Sequence, residues 1–134
     1  MENRTLSGSS LCPCLRGERF DACCGPFLRG PRTAPTAEQL MRSRYSAFSV
    51  GDAQYLLDTW HPTTAPETLE LDPRQRWYRL DIHGTGAGGL LDHDGWVEFS
   101  AFYRHPDGGG ELRERSRFVR DNGRWFYLDG RVST

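Results

Sequence analysis

The sequence predicts an α+β protein in which a small cysteine-bound module precedes helices packed on an antiparallel sheet. Three observations carry this. Four cysteines, Cys12, Cys14, Cys23 and Cys24, fall within thirteen residues, and the chain has no others. Apolar residues then recur with helical spacing between Thr36 and Pro62. From Trp77 onward the spacing changes to two, interrupted by glycine-rich turns. Helices followed by a run of hairpin-linked strands give an α+β domain.

The elements follow in order. Residues 1–11 are a Ser/Gly-rich tail, residues 12–28 the cysteine module, and residues 29–36 a linker whose Gly30, Pro31 and Pro35 exclude a regular element. Residues 37–134 form the larger domain. Thr36 is a good N-cap, and Gln39 completes a capping box. Ala37, Leu40, Met41, Tyr45 and Phe48 then make one apolar stripe, and Gly51 ends the helix. Asp52 caps a shorter helix that turns Tyr55, Leu56 and Trp60 inward and stops by Pro62; a further helical turn is expected around residues 66–71. In the first strand, Tyr78, Leu80 and Ile82 alternate with Arg79, Asp81 and His83, and residues 84–89 read as a glycine-rich turn. Val97, Phe99, Ala101 and Tyr103 mark the second strand, Leu112 to Arg120 the third, and Trp125 to Asp129 the fourth, with Asp121-Asn122-Gly123 as a tight hairpin between the last two.

Composition narrows the function. The formal net charge is −1 and the pI is near 6.4, which argues against a general nucleic-acid binder. All seventeen basic residues are arginine, so Schiff-base and P-loop lysine chemistry is excluded. The N-terminus lacks an apolar signal core, and no run approaches the ~20 apolar residues of a transmembrane helix. The reading is a soluble, cytoplasmic protein with no membrane partner.

In a reducing compartment, clustered cysteines are metal ligands before they are disulfides. Zinc takes four thiolates in a tetrahedron at about 2.3 Å. Cys12-Pro13-Cys14 and Cys23-Cys24 supply two close pairs, separated by a loop that holds Gly17 and Phe20, with Gly25-Pro26 after them. Phe20 is the expected hydrophobic plug. Four thiolates leave no open position, so one structural Zn2+ is expected. Ordinary reduced cysteines and a redox pair are the alternatives; an iron–sulfur cluster fits adjacent ligands poorly.

Cys12-Pro13-Cys14, Gly17, Phe20 and Cys23-Cys24-Gly25-Pro26 resemble the SEC-C motif, the zinc module found at the C-terminus of the SecA translocation ATPase. The motif usually has Gly-Ser-Gly after its second cysteine, where this chain has Leu15-Arg16-Gly17. Pro35-Thr36-Ala37, the block from Leu40 to Phe48, and Thr59-Trp60-His61-Pro62 extend the resemblance to the YchJ family of bacterial proteins. That resemblance implies a SEC-C zinc knuckle followed by a nuclear-transport-factor-2-like (cystatin-like) cone, with N-terminal helices packed on a curved antiparallel sheet. It implies no reaction.

No residue is assigned a catalytic role. The chain shows no Ser–His–Asp order, no paired-histidine helix and no nucleophile elbow. Arg44 shares the apolar stripe and needs a partner if buried, with Asp81, Glu98 and Asp129 as the candidates. Asp81 and His83 stand two apart on one strand face, so Arg44, Asp81 and His83 form the candidate ligand or anion site. Arg113, Arg115 and Arg117 make a basic stripe interleaved with Glu111 and Glu114, read as a solvated face. The preferred function is a zinc-stabilised protein-binding module, docking a protein partner through the knuckle, with a homodimer through the sheet face as a further option. The alternatives are a small-molecule binder or enzyme using the cone, and a zinc–thiolate redox sensor.

Overall fold

The helices begin where side chains satisfy free backbone N–H groups. The computed structural model describes residues 10–30 and 32–132, so most of the expected tail lies outside the described residues. Helix α1 spans Gly25–Leu28, α2 spans Ala37–Val50 and α3 spans Ala53–Asp58. Thr36 Oγ1 accepts the Gln39 N–H at 3.2 Å and donates to Gln39 Oε1 at 3.1 Å, which fixes the start of α2. Gly51, at φ +79°, closes it and returns its N–H to the carbonyls of Ala47 and Phe48. Asp52 Oδ1 then accepts the Tyr55 N–H at 3.0 Å and starts α3. The helical turn expected around residues 66–71 does not form: this stretch is irregular. Pro66 and Asp72-Pro73 frame a segment with few inward-facing apolar residues, so nothing packs a helix there.

Strands β1 (Arg76–Ala87), β2 (Asp94–Arg104), β3 (Gly110–Asp121) and β4 (Arg124–Val132) form one antiparallel sheet in the order β1-β2-β3-β4. The expected meander is therefore present. Three irregularities bend it. The register skips one residue at Tyr78, one at His83 and one at Leu128. Each extra residue reverses the in–out alternation and sharpens the local twist. The skip at Tyr78 turns Trp77 inward onto Tyr45 and Phe48, while Tyr78 is left 46% exposed, against its expected inward role.

The run of glycines at 84–89 also has a different role from the expected turn. β1 continues through Gly84 and Gly86 to Ala87, and the turn falls later, at residues 88–93. A Cβ at Gly86 would overlap the indole of Trp96 on the neighbouring strand, so the glycine makes room for a large cross-strand ring. Arg115 covers that ring at 4.0 Å from its centroid. Arg113 and Arg115 both pair with Glu98, and Arg117 pairs with Asp129, so the basic stripe is charge-compensated on the outer sheet face.

One apolar cluster runs through the described chain. It joins Phe20 and Phe27 of the cysteine module to Leu40, Met41 and Tyr45 of α2, and these to Phe99 and Phe118 of the sheet. The segment between module and helix is drawn in as well: Ala34 is buried, and the Trp125 indole N–H donates to the Pro35 carbonyl at 3.0 Å. Helix α2 thus lies between the knuckle and the sheet. No helix among the described residues is long and apolar enough to cross a membrane.

Replacing Thr36 with Ala removes the cap while leaving the buried cluster intact. It should cost about 1 kcal/mol of unfolding free energy in urea titrations, with the slope unchanged.

Candidate metal centre

A short ribbon and two helical turns bring the four cysteines together. Leu11 bridges Arg19 in antiparallel fashion, and the Cys12 N–H donates to the Glu18 carbonyl at 2.8 Å. The loop between them turns tightly, with the Leu15 N–H donating to the Cys12 carbonyl at 3.1 Å. Leu15 (φ +64°) and Gly17 (φ +98°) both occupy the left-handed region. A 3-10 turn over Phe20–Ala22 then returns the chain, and α1 begins directly after Cys24. Phe20 is buried at the centre, the plug expected from sequence. Gly25 must be glycine, because a Cβ there would meet the Phe20 carbonyl oxygen at 2.7 Å.

All four Sγ atoms lie within 4.8 Å of one another and all four residues are buried. Cys14 Sγ is 3.6 Å from Cys23 Sγ, and Cys23 Sγ is 3.9 Å from Cys24 Sγ. A tetrahedron with metal–sulfur bonds of about 2.3 Å has edges of about 3.8 Å. These separations are therefore those of a tetrahedral tetrathiolate site. They are too long for disulfides, and the cysteines are free.

The electrostatics of the cluster give the same answer. Hydrogen bonds from Cys14 and Cys24 pull the Cys12 thiol far below its usual range. Burial, with the negative charge of its neighbours, pushes the Cys23 thiol up to about 12. Hydrogen bonding to Cys12 and Cys14, together with burial, holds Cys24 far above the ordinary range. Protein groups alone thus oppose the ionisation of all four sulfurs together. A cation at the centre reverses the penalty on each further thiolate. The residues fit a bound metal, and four ligands would leave it no position for a substrate.

Two residues of α2 support the cluster. Ser46 Oγ lies 3.4 Å from Cys12 Sγ, and Arg42 Nη1 donates to the Cys14 carbonyl at 3.0 Å while its Nε donates to Glu38 at 3.0 Å. No sequence motif marks either residue for this role. The available signal was the set Ser43, Ser46 and Ala47, small residues at helical spacing that let a second element approach α2 closely.

The other candidate residues do not converge. Arg44 is 5% exposed and faces the interior of the sheet, where it lines a cavity of about 250 Å³. Asp81 and His83 are not among the residues lining that cavity. Asp81 pairs with Arg79 at 3.1 Å, and His83 Nε2 donates to Ser100 Oγ at 2.7 Å. Ser100 in turn donates to Glu111. The proposed grouping of Arg44, Asp81 and His83 is therefore corrected: sheet alternation and the bulge at His83 keep the latter two away from Arg44. The expected carboxylate partners of Arg44 are corrected as well. Asp81, Glu98 and Asp129 pair with arginines of the sheet. Arg44 Nη1 donates instead to the Leu56 carbonyl at 2.7 Å and to Thr59 Oγ1 at 2.8 Å.

Comparison with known proteins agrees with this architecture. The family described as "YchJ, middle NTF2-like domain" matches residues 36–130. The UPF0225 protein of Streptomyces coelicolor is 55% identical over 119 residues, covering 89% of this chain and 93% of the relative. The UPF0225 protein of Corynebacterium glutamicum is 50% identical over 121 residues, covering 90% and 96%. Among solved structures, a SEC-C motif containing protein from Rhodopseudomonas palustris superposes with a TM-score of 0.78 at 31% identity, covering 92% of this chain and 98% of that one. A SEC-C motif containing protein from Psychrobacter arcticus gives a TM-score of 0.77 at 28% identity, covering 97% and 86%. The chain belongs to the YchJ family, and its larger part is an NTF2-like domain.

Two outcomes follow from the site. Metal binding at neutral pH should release protons from the thiol cluster, measurable by calorimetry in buffers of different ionisation enthalpy; affinity should accordingly fall as pH falls. Ser46→Ala should weaken metal affinity about tenfold in chelator competition, with all four thiols still present.

Proposed function

We propose that this chain is a zinc protein whose four-cysteine knuckle presents a docking surface to a protein partner in a reducing cytoplasm. Thiolate donors in a closed tetrahedral set favour zinc over the harder divalent ions, and a closed site gives the metal a structural role. The NTF2-like domain is then the rigid base to which the knuckle is fixed through Arg42 and Ser46.

The observation that carries this reading is Leu15. Its φ of +64° belongs to the region that glycine occupies without strain, and the SEC-C pattern usually has glycine there. A leucine in that conformation costs roughly 1–2 kcal/mol of backbone strain. It does not recover this by burial, since Leu15 is 53% exposed at the tip of the knuckle. Exposed Leu11 lies on the same module, and the exposed side chains of Arg16 and Arg19 flank the loop. Strain kept in an exposed apolar residue marks a binding position. The partner surface this favours is an apolar pocket with a polar rim of both charges, since exposed Glu18 and Asp21 stand among these arginines.

Leu15→Gly separates docking from folding. The variant should keep one zinc per chain and gain about 0.5 kcal/mol of stability from relief of strain, partly offset by chain entropy. It should also lose partner retention when the immobilised protein is exposed to cell extract and compared with wild type. Undiminished retention would contradict docking through the knuckle.

A further inference from the structure

The cavity inside the sheet holds buried polar groups that the metal site does not use. Its walls are aromatic, with Phe48, Trp77 and Phe99 among them, and one end is polar, formed by Arg44, Trp60 and Glu114. Two features of that end are unexplained by the fold. The Trp60 indole Nε1–H is buried with no hydrogen-bond partner among the described residues. Buried donors are almost always paired, so a bare one on a residue that lines the cavity marks a place for an acceptor. The Arg44 guanidinium is also buried, yet among the described residues it has no carboxylate within ion-pair distance. Only its Nη1 carries hydrogen bonds there. The two groups are neighbours: Arg44 Cζ lies 5.3 Å from the centre of the Trp60 ring and 4.5 Å from that of Tyr127.

We infer that this cavity is a binding site for a small monocarboxylate with an apolar or aromatic body, its carboxylate received by Arg44 and the Trp60 indole N–H. A carboxylate supplies both things that are missing, a contact ion pair for the guanidinium, which Glu114 influences only from beyond ion-pair distance, and an oxygen for the indole. Glu114 defines the charge limit. Its Oε1 accepts from Ser116 Oγ at 2.7 Å and from Tyr127 Oη at 3.2 Å, so a second acidic group stands at the polar end. A doubly charged phosphate would face that carboxylate with twice the charge of a monocarboxylate, which adds a single negative charge beside Arg44. Size limits the body. Sites for drug-sized molecules span roughly 300–1,000 Å³, and a cavity of about 250 Å³ holds something smaller, such as one ring or a short chain.

The test uses the metal-loaded full chain, with phenylacetate and hexanoate as probes and 2-phenylethanol as the neutral control. Binding is followed on the indole N–H resonances in 15N–1H correlation spectra, with Trp60→Phe assigning the Trp60 signal. Either acid should shift the Trp60 signal saturably, with a dissociation constant of about 1 mM or tighter. The alcohol should bind at least about tenfold more weakly, as expected for loss of one charge-assisted contact. Glu114→Gln should tighten acid binding, and Trp60→Phe should weaken it. Arg44→Met should abolish it; if that variant misfolds, the Trp60 and Glu114 variants decide. No saturable shift with either acid, or equal affinity for phenylacetate and 2-phenylethanol, would overturn the inference.

Discussion

Everything at the N-terminal end of this protein depends on burying four cysteine sulfurs in one place. The module they hold is too small for a core of its own: among the described residues, Phe20 and Phe27 are its only large buried apolar side chains. Its ribbon is a single antiparallel bridge and its helices are one turn each. Structural zinc contributes on the order of 10 kcal/mol to comparable modules, which is as large as the whole stability of an ordinary domain. A bound metal therefore outweighs every other contact available to this segment. The strained backbone at Leu15, at roughly 1–2 kcal/mol, is small beside it and is tolerated.

The same cluster explains why α2 is buried on nearly every side. The knuckle covers one face through Arg42, Ser46 and the Cys12–Cys14 loop, and the sheet covers the other through Tyr45, Leu40 and Met41. A helix enclosed in this way has to place Arg44 indoors. The guanidinium is accommodated by a carbonyl, a hydroxyl and two aromatic faces, with burial lowering its pKa to about 10, still charged at neutral pH. The metal site and the interior cavity are thus consequences of one arrangement, a helix pressed between a thiolate knuckle and a curved sheet.

What could be read from the sequence was whatever depends on local chemistry. Thr36 and Asp52 announce helix starts because their side-chain oxygens bond N–H groups three residues on. Gly51 announces a helix end because it takes a positive φ. The cysteine spacing announces a cluster of four thiols because two close pairs on one short loop bring their sulfurs together. What could not be read depends on a register set between strands. An alternating pattern cannot show that Tyr78 and His83 are extra residues, so Trp77 and Tyr78 exchange faces relative to a simple count. Gly84 and Gly86 look like turn residues until Trp96 is placed beside them. For Arg44 the sequence offers only carboxylates as partners, since neither a backbone carbonyl nor a ring face leaves a mark in it.

The central claim is that one zinc ion, held by Cys12, Cys14, Cys23 and Cys24, organises the knuckle against α2. Native mass spectrometry of untagged protein, purified without added metal, tests it most directly. The account predicts a mass increment of one zinc per chain that persists at neutral pH and is lost on acidification, together with the folded charge-state pattern of the N-terminal module. A folded chain that carries no metal and titrates four free thiols would contradict it.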